Sequence, residues 1–554
     1  MRTGHLRREL WQRLTQERFD VAIVGGGING AVAAAALSAS GLKVVLLEKG
    51  DFASSTSQES SNLVWGGIKY LESYEFGLVW DLCRSRNELM RAYPDEVQEL
   101  RFFTHLERGF RKPRFLVFLG AVLYWMMGRF VTRPPRLLSR KDIEAEEAIV
   151  NTSKSQGGLE YSDCFLRDND ARFVFHFIRR ALRRGAAALN YASVQALGSL
   201  TEDDGKKGWK LGVKDLREGT LHELRAKVLI NAGGPYADTL NQMAQIKSRH
   251  HHIFSKGVHL IVRRLTMSDK VLTFFADDGR LFFVIPMGAR SCIGTTDTRV
   301  TALPAQVEAG DRRFILDNIN KRLRLEQPLT EGDIIAERCG VRPLVVRGES
   351  QNLDAEDWVN LSRKHEIEVD RAHSQLTIFG GKLTDCLNIG REQLAAVRQL
   401  GLKPQDPGVW FGEGSPAVKH HFEEEAGRLG LDTIKSVGEG DLAQRLWRNY
   451  GEDAIRILEL MHREPALKEL IVASAPLVLA EASYMAEEEM VEGMEDFLRR
   501  RTRLALVVRR EELAQSQGLY QACKILFGER ADEEWERYFK ASFHRQSQPL
   551  AVHP

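Results

Sequence analysis

Val21–Val24 form a short, unbroken apolar run, and glycines at 25–27 interrupt it. An alanine-rich stretch follows, and a second apolar run, Val44–Leu47, ends at Glu48. Apolar runs of this length bounded by glycine predict buried strands, and the alanine-rich segment between them predicts a helix. Together they make a β-α-β unit. Two similar strand-plus-glycine pieces lie far downstream. RAKVLINAGGPYAD (225–238) closes on Gly233-Gly234, and QLTIFGGKLTDCLNIG (375–390) turns at Gly380-Gly381 before a helix begins. Between them, HLIVRR and RLFFVIPMGARSCIGTTDTRV alternate apolar with polar positions, the period of an antiparallel sheet. From about residue 416 the strand-like runs vanish and charged helical periodicity dominates, as in EDAIRILELMHREPALKELIV.

Glycine spacing gives the first unit its chemistry. Gly25, Gly27 and Gly30 occupy the positions of a GxGxxG turn. The first allows the tight turn, the second lets a pyrophosphate approach the backbone, and the third lets helix and sheet pack closely. The helix N-terminus then offers N–H groups and its positive dipole end to the phosphates. Glu48, closing the second strand, can accept from both ribose hydroxyls, and its charge would repel the 2′-phosphate of NADP. An NAD-binding domain is usually contiguous, so a sheet assembled from distant pieces favours FAD. The expected fold is α/β: a Rossmann-type FAD-binding domain of glutathione-reductase-like build, an antiparallel-sheet substrate domain and a C-terminal helical domain. The expected boundaries are an N-terminal extension over 1–18 and a FAD-binding domain over 19–410, built from about 19–100, 150–245 and 335–400. The substrate domain interleaves with it over about 100–150 and 246–335, and the helical domain covers 411–554.

A chain of 554 residues exceeds one compact domain, at roughly 100–200 residues each. Lys+Arg 78 against Asp+Glu 76 leaves a formal charge of +2, so no global basic field points to nucleic acid, and no nucleic-acid partner is expected. The six cysteines (Cys83, Cys164, Cys292, Cys339, Cys386, Cys523) include no CxxC. That disfavours a disulfide scaffold, a zinc ribbon and a cysteine-held iron–sulfur cluster, and predicts reduced thiols in a cytosolic compartment. His250-His251-His252 reads as a polar loop, because consecutive residues point in different directions and no acid is adjacent; no metal is expected. The start, MRTGHLRRELWQRLTQERFD, is charged throughout and lacks the apolar core of a secretory signal. The longest apolar stretch, Phe115 to Gly128, falls short of the ~20 residues that span a bilayer. It lies within FRKPRFLVFLGAVLYWMMGRFVTRPPRLLSRK (110–141), which with Arg108 carries nine cations and no acid. Cations bracketing an apolar, Trp- and Tyr-bearing body suit a membrane interface, with the arginines on anionic lipid.

Eight segments fall in one order along the chain: GGGINGA, SSTSQESSNLVWGGIKYLESYEFGLV, GLEYSDCFLRDNDAR, KGVHLIV, FFVIP, IGTTDT, CGVRPLV and FGGKLT. Together they resemble the FAD-dependent (quinone-linked) glycerol-3-phosphate dehydrogenase family, near-continuously from about residue 18 to 390. Beyond that the resemblance is looser, with DFLRRRTRLAL similar to the family's arginine-rich terminal helix. The iron–sulfur-bearing anaerobic form needs extra cysteines, which this chain lacks. The resemblance implies oxidation of sn-glycerol 3-phosphate to dihydroxyacetone phosphate, with hydride passing to FAD and electrons to membrane quinone. It implies a cytoplasmic protein peripherally associated with the inner (cytoplasmic) membrane. Oligomeric state, with a homodimer as one option, and the choice between quinone and oxygen stay open.

Matched residue by residue, the resemblance places Gly25, Gly27, Asn29, Gly30, Glu48, Lys49, Ser55, Thr56, Ser60, Ser61, Leu63 and Gly66 at FAD. Val194, Ala232, Gly233, Gly380, Gly381, Leu383 and Thr384 complete that set. It places Lys69, Tyr70, His259, Arg342, Arg363 and Lys382 at the substrate, with His259, Arg342 and Lys382 catalytic. The chemistry agrees. A phosphate monoester needs fixed cations, preferably the arginine fork, and Pro343 restrains the backbone at Arg342. Hydride loss from C2 requires its hydroxyl proton to leave as well, and a neutral imidazole accepts one near pH 7. Lys382 can stabilise negative charge developing on the flavin or the alkoxide. Asn62, Trp65 and Lys69 stand where many relatives have lysine, histidine and arginine, which bears on the exact polyol phosphate more than on the flavin. Two other readings compete. An amine or amino-acid oxidase of the same fold would want one arginine for a carboxylate rather than several cations. A flavoprotein binding RNA or a partner protein would use 108–141 as its patch, although an apolar run suits lipid better than base stacking.

Overall fold

The computed structural model describes residues 4–201, 207–348, 364–436, 438 and 440–540. The apolar runs form the centre of a mainly parallel sheet. Its strand order is Glu366–Asp370, Gln375–Phe379, Leu221–Asn231, Arg18–Val24, Val44–Leu47, Ala187–Leu189. The last five pair in parallel, and Glu366–Asp370 adds an antiparallel edge. A hairpin, Ala192–Thr201 with Lys207–Asp215, extends Leu221–Asn231 on its antiparallel side. Parallel strands are covered on both faces, which is why Val44–Leu47 is buried at every position and shows no polar alternation. Helix Ile28–Ala39 packs beside Asp170–Arg183 and Cys386–Gln399, and its small alanine side chains permit that close approach.

The second sheet runs Thr298–Val300, His250–Arg263, Arg290–Gly294, Leu281–Met287, Val271–Phe275, Val97–Glu107, Ser155–Leu166, Leu63–Val64. Ala336–Arg347 pairs along His250–Arg263, from Ala336 opposite Ile261 to Arg347 opposite His250. The sheet is antiparallel except where Val97–Glu107 meets Val271–Phe275 in parallel. Three strands depart from the expected division: Leu63–Val64, Ser155–Leu166 and Ala336–Arg347 belong to this sheet, not to the nucleotide-binding one. His250–His252 are likewise not a loop. They open the longest strand of the sheet, because the partner strand Ala336–Arg347 extends pairing back to His250.

Residues 4–17 are no detached extension. Helix His5–Gln16 buries Leu10, Trp11 and Leu14 in the same core as the parallel sheet, and Arg7 meets Asp215 at 2.7 Å. From Pro416 on, helices enclose a separate core that includes Leu446, Trp447, Met485 and Phe497, with two short hairpins among them. This unit is tied to the nucleotide-binding part through buried charges. Arg448 meets Asp168 at 2.8 Å, and Arg172 meets Glu489 at 2.5 Å. The arginine-rich segment is a wide π-type turn, Asp496–Arg501, in which Arg500 and Arg501 grip Asp51 at 2.6 and 2.8 Å. Removing one partner of such a buried pair costs about 3–5 kcal/mol, since the other charge stays desolvated.

Candidate active site

The nucleotide turn has the shape its glycines require. Gly25 has φ +113°, and a Cβ there would lie 2.3 Å from the Ala232 carbonyl oxygen; one at Gly30 would lie 1.9 Å from that of Gly25. No larger residue fits either place. Glu48 ends the second strand with its carboxylate accepting from the Gly26 and Gly50 amides, at 2.7 and 2.8 Å. Burial pushes the Glu48 carboxyl up, and those amides oppose the rise. Opposite, Ala232 is hydrogen-bonded to Val24 and leads into Gly233, while Lys49 lies 3.5 Å from the Tyr236 ring. Ser57 Oγ accepts from the Ile28 amide at 3.1 Å, pinning the hydroxyl-rich loop to the helix N-terminus. A glycine cradle, a helix N-terminus and a strand-end carboxylate fit a dinucleotide held along this edge.

The second sheet carries the residues expected at the substrate. Strand pairing sets Ser255 opposite Arg342, Gly257 opposite Gly340 and His259 opposite Arg338, so these six share one face. The two glycines make that face a recess. A Cβ on Gly257 would lie 2.1 Å from the Arg342 guanidinium, and one on Gly340 would lie 2.9 Å from the Glu59 carbonyl oxygen. Arg342 Nη2 reaches Thr295 Oγ1 at 3.2 Å and Nη1 lies 3.4 Å from Asp297, residues of the TTD turn. His259 is buried, and among the described residues its Nδ1 has no hydrogen-bond partner. Burial, then the Arg342 and Arg338 guanidiniums, push it down to about 3. The imidazole is therefore neutral at pH 7.

The turn at Gly380-Gly381 ties both sheets to the nucleotide helix. The Gly380 amide donates to His252 Nε2 at 3.0 Å, and its carbonyl accepts from Asn29 Nδ2 at 2.9 Å. Gly381 has φ +106°, and a Cβ there would lie 2.8 Å from the Asn29 amide. The next residue, Lys382, places Nζ 4.0 Å from the Tyr70 ring centroid. Leu383 and Thr384 form the short turn that starts helix Cys386–Gln399. The structure thus joins His259 with Arg342, Lys382 with Tyr70, and Asn29 with Gly380.

Other expected residues have plainer placements. Lys69 is exposed on the turn Ile68–Leu71, and Arg363 lies outside the described residues. Thr56 Oγ1 donates to the Val341 carbonyl at 2.8 Å, docking the loop that includes Ser55 and Ser61 onto the site strand. Ser60 is spent on the fold: its amide donates to Asp170 and its hydroxyl accepts from Asn62. Asn62, in turn, bonds Arg338 at 2.8 Å. Leu63 pairs with Phe165, and the Gly66 amide donates to the buried Asp163 at 3.1 Å. Val194 is a buried strand residue opposite Val213. Sequence reasoning missed Arg338, which lies on the His259 face two residues before Gly340 in ERCGVRPL. Period-two alternation back from Arg342 would have found it. It also missed His252, hidden by the loop assignment.

Comparisons with known proteins converge. A family model described as FAD dependent oxidoreductase matches residues 20–360, and one described as the C-terminal domain of alpha-glycerophosphate oxidase matches 419–527. Glycerol-3-phosphate dehydrogenase 2 of Mycobacterium tuberculosis is 31% identical over 508 residues, covering 90% of this chain and 83% of its own. Glycerol-3-phosphate dehydrogenase of Pseudomonas tolaasii is 30% identical over 505 residues, covering 90% and 94%. The crystal structure of glycerol-3-phosphate dehydrogenase from Bacillus halodurans complexed with FAD aligns along 100% of both chains, with TM-score 0.75 and 23% identity, a likeness of fold. With two domain models in order and relatives matched along most of their length, the chain belongs to the FAD-dependent glycerol-3-phosphate dehydrogenase family.

Proposed function

We propose that the protein oxidises sn-glycerol 3-phosphate to dihydroxyacetone phosphate and delivers the electrons to a quinone in a membrane. The observation that carries the reading is the recessed face shared by His259 and Arg342 beside the nucleotide cradle. Arg342 receives the phosphate, exchanging its long contacts to Thr295 and Asp297 for charge-assisted bonds. His259 accepts the C2 hydroxyl proton. The phosphate's charge offsets the guanidiniums that depress His259, so the base strengthens as substrate arrives. Lys382, aligned by Gly381 and Tyr70, stabilises the alkoxide as that proton leaves. FAD, when bound, supplies the hydride acceptor. Purified protein should reduce a soluble quinone analogue when given sn-glycerol 3-phosphate; turnover with an amino acid instead would overturn the substrate.

The membrane part of the proposal is supported by an unusual surface. Helix Arg114–Met127 buries only Ala121 and Tyr124, and it presents Phe115, Leu116, Leu119, Leu123 and Met126 at 62, 53, 45, 37 and 45% exposure. A core helix would hide these. No helix among the described residues is long and apolar enough to cross a membrane, so this face would lie in the interface rather than span. The bracketing cations contribute less than their number suggests. Arg111 and Lys112 pair with Glu72, Arg133 with Glu99, Arg136 with Glu146 and Arg140 with Glu144, while Arg114 bonds the carbonyl oxygens of Leu138 and Gln156.

A further inference from the structure

We propose that the cleft lined by Arg84, Arg91 and Arg129 binds the phosphate headgroup of an anionic phospholipid. This rests on the membrane reading above and adds the place where lipid is recognised. Helix Phe76–Ala92 packs against helix Arg114–Met127, and one of its faces runs Phe76, Trp80, Arg84, Arg91. Phe76 and Trp80 are 45 and 41% exposed, so that face passes from apolar to basic. Between the helices lies an open cleft of about 350 Å³, lined by Trp80, the three arginines, Asn87, Glu88 and Met127. That is ample for a phosphodiester on its glycerol.

The cleft is built, and its charge is available. Arg129 and Phe130 have φ +54° and +59°, a left-handed turn that side chains adopt rarely. Asn87 Nδ2 holds the Gly128 carbonyl at 2.8 Å, and Trp125 Nε1 holds that of Thr132 at 2.6 Å. The turn carries Arg129 back to within 5.4 Å of the Trp80 ring. Glu88, the carboxylate of the lining, is already engaged by Arg391 at 2.9 Å. Among the described residues, none of Arg84, Arg91 and Arg129 is paired with a carboxylate. Most cations flanking the apolar helix are paired with carboxylates within the protein, whereas the cleft gathers three that are not. Guanidinium forks match the oxygens of a phosphodiester, and the acyl chains would continue over exposed Met126 and Phe130.

The test measures partitioning of the FAD-loaded protein onto vesicles of phosphatidylcholine with and without phosphatidylglycerol. Three proteins are compared: wild type, Arg84→Gln with Arg91→Gln, and a charge-matched control, Arg184→Gln with Lys403→Gln. A basic residue at the surface contributes about fivefold in partitioning. The cleft variant should therefore lose roughly twentyfold on phosphatidylglycerol vesicles. It should match wild type on pure phosphatidylcholine and in turnover with a soluble dye acceptor, which also reports that it folds. Inorganic phosphate at matched ionic strength should not release wild type, since the occupant is lipid. Equal losses for the cleft variant and the control would overturn the headgroup site while leaving membrane attachment intact. Failure of wild type to bind either vesicle would overturn both.

Discussion

Arg342 helps to keep the buried His259 imidazole neutral. Strand pairing puts them on one face two rungs apart, and Gly257 between them lets the guanidinium lie over the sheet. Burial, with the positive neighbours Arg342 and Arg338, holds His259 at about 3 and keeps it unprotonated in the free enzyme across the working range. A loss of kcat/KM near pH 6 should then report the second ionisation of the substrate phosphate, about 6, and not the histidine. His259→Asn should lower kcat/KM by about 10²–10⁴-fold yet keep that acid limb. An acid limb that vanished in the variant would mean that the imidazole itself titrates there. Both residues were legible in the sequence because each sits in a motif whose chemistry is local. The place of Arg338 on the same face follows from alternation, but its buried contacts with Ser60 and Asn62 do not, because only folding brings them near.

Among elements, the strand-plus-glycine pieces were the most legible, since an unbroken apolar run ending in glycine has few other uses. The strands of the second sheet were harder. Ser155–Leu166 carries little alternation because it is buried along most of its length, and its pairing with Val97–Glu107 is decided by tertiary contact. Another contact of this kind is His365, which links the start of strand Glu366–Asp370 to helix Cys386–Gln399 through Asp385 and Glu392, each at 2.9 Å. Burial alone would lower its pKa, but the two carboxylates raise it to about 9. A raised histidine stabilises fully below its unfolded value of about 6.5, and that stabilisation is lost as pH rises through the folded value. His365→Gln should therefore cost about 1–3 kcal/mol at pH 6, with Glu392 half-exposed and screened, and almost nothing above pH 10. Thermal melts of both proteins across that range give the difference directly. A gap that widened toward alkaline pH would contradict the assignment.

At the scale of the whole molecule, two assemblies meet: the nucleotide-binding part locked to the helical unit by Asp51, Arg500 and Arg501, and an apolar face on the surface helices. The apolar segment was legible as composition, but the fate of its charges was not, because Glu72, Glu99 and Glu146 lie outside the run or at its far end. Hydrophobic attachment should therefore outlast salt. Phe115→Ser with Leu119→Ser and Leu123→Ser should release the protein from vesicles even at low salt and depress quinone-linked turnover, while sparing a soluble dye acceptor. Precipitation or loss of FAD in that variant would make the stretch core. The central claim, that this chain oxidises sn-glycerol 3-phosphate at FAD through Arg342 and His259, is tested most directly by anaerobic titration of the purified flavoprotein. The visible flavin band should bleach with sn-glycerol 3-phosphate far more readily than with glycerol. Arg342→Ala should need roughly ten- to a hundredfold more phosphate substrate, the loss of about 1.5–3 kcal/mol from one charged hydrogen-bonding partner, with its weak response to glycerol unchanged. Bleaching that is equal for the two polyols, or unaffected by Arg342→Ala, would contradict the account.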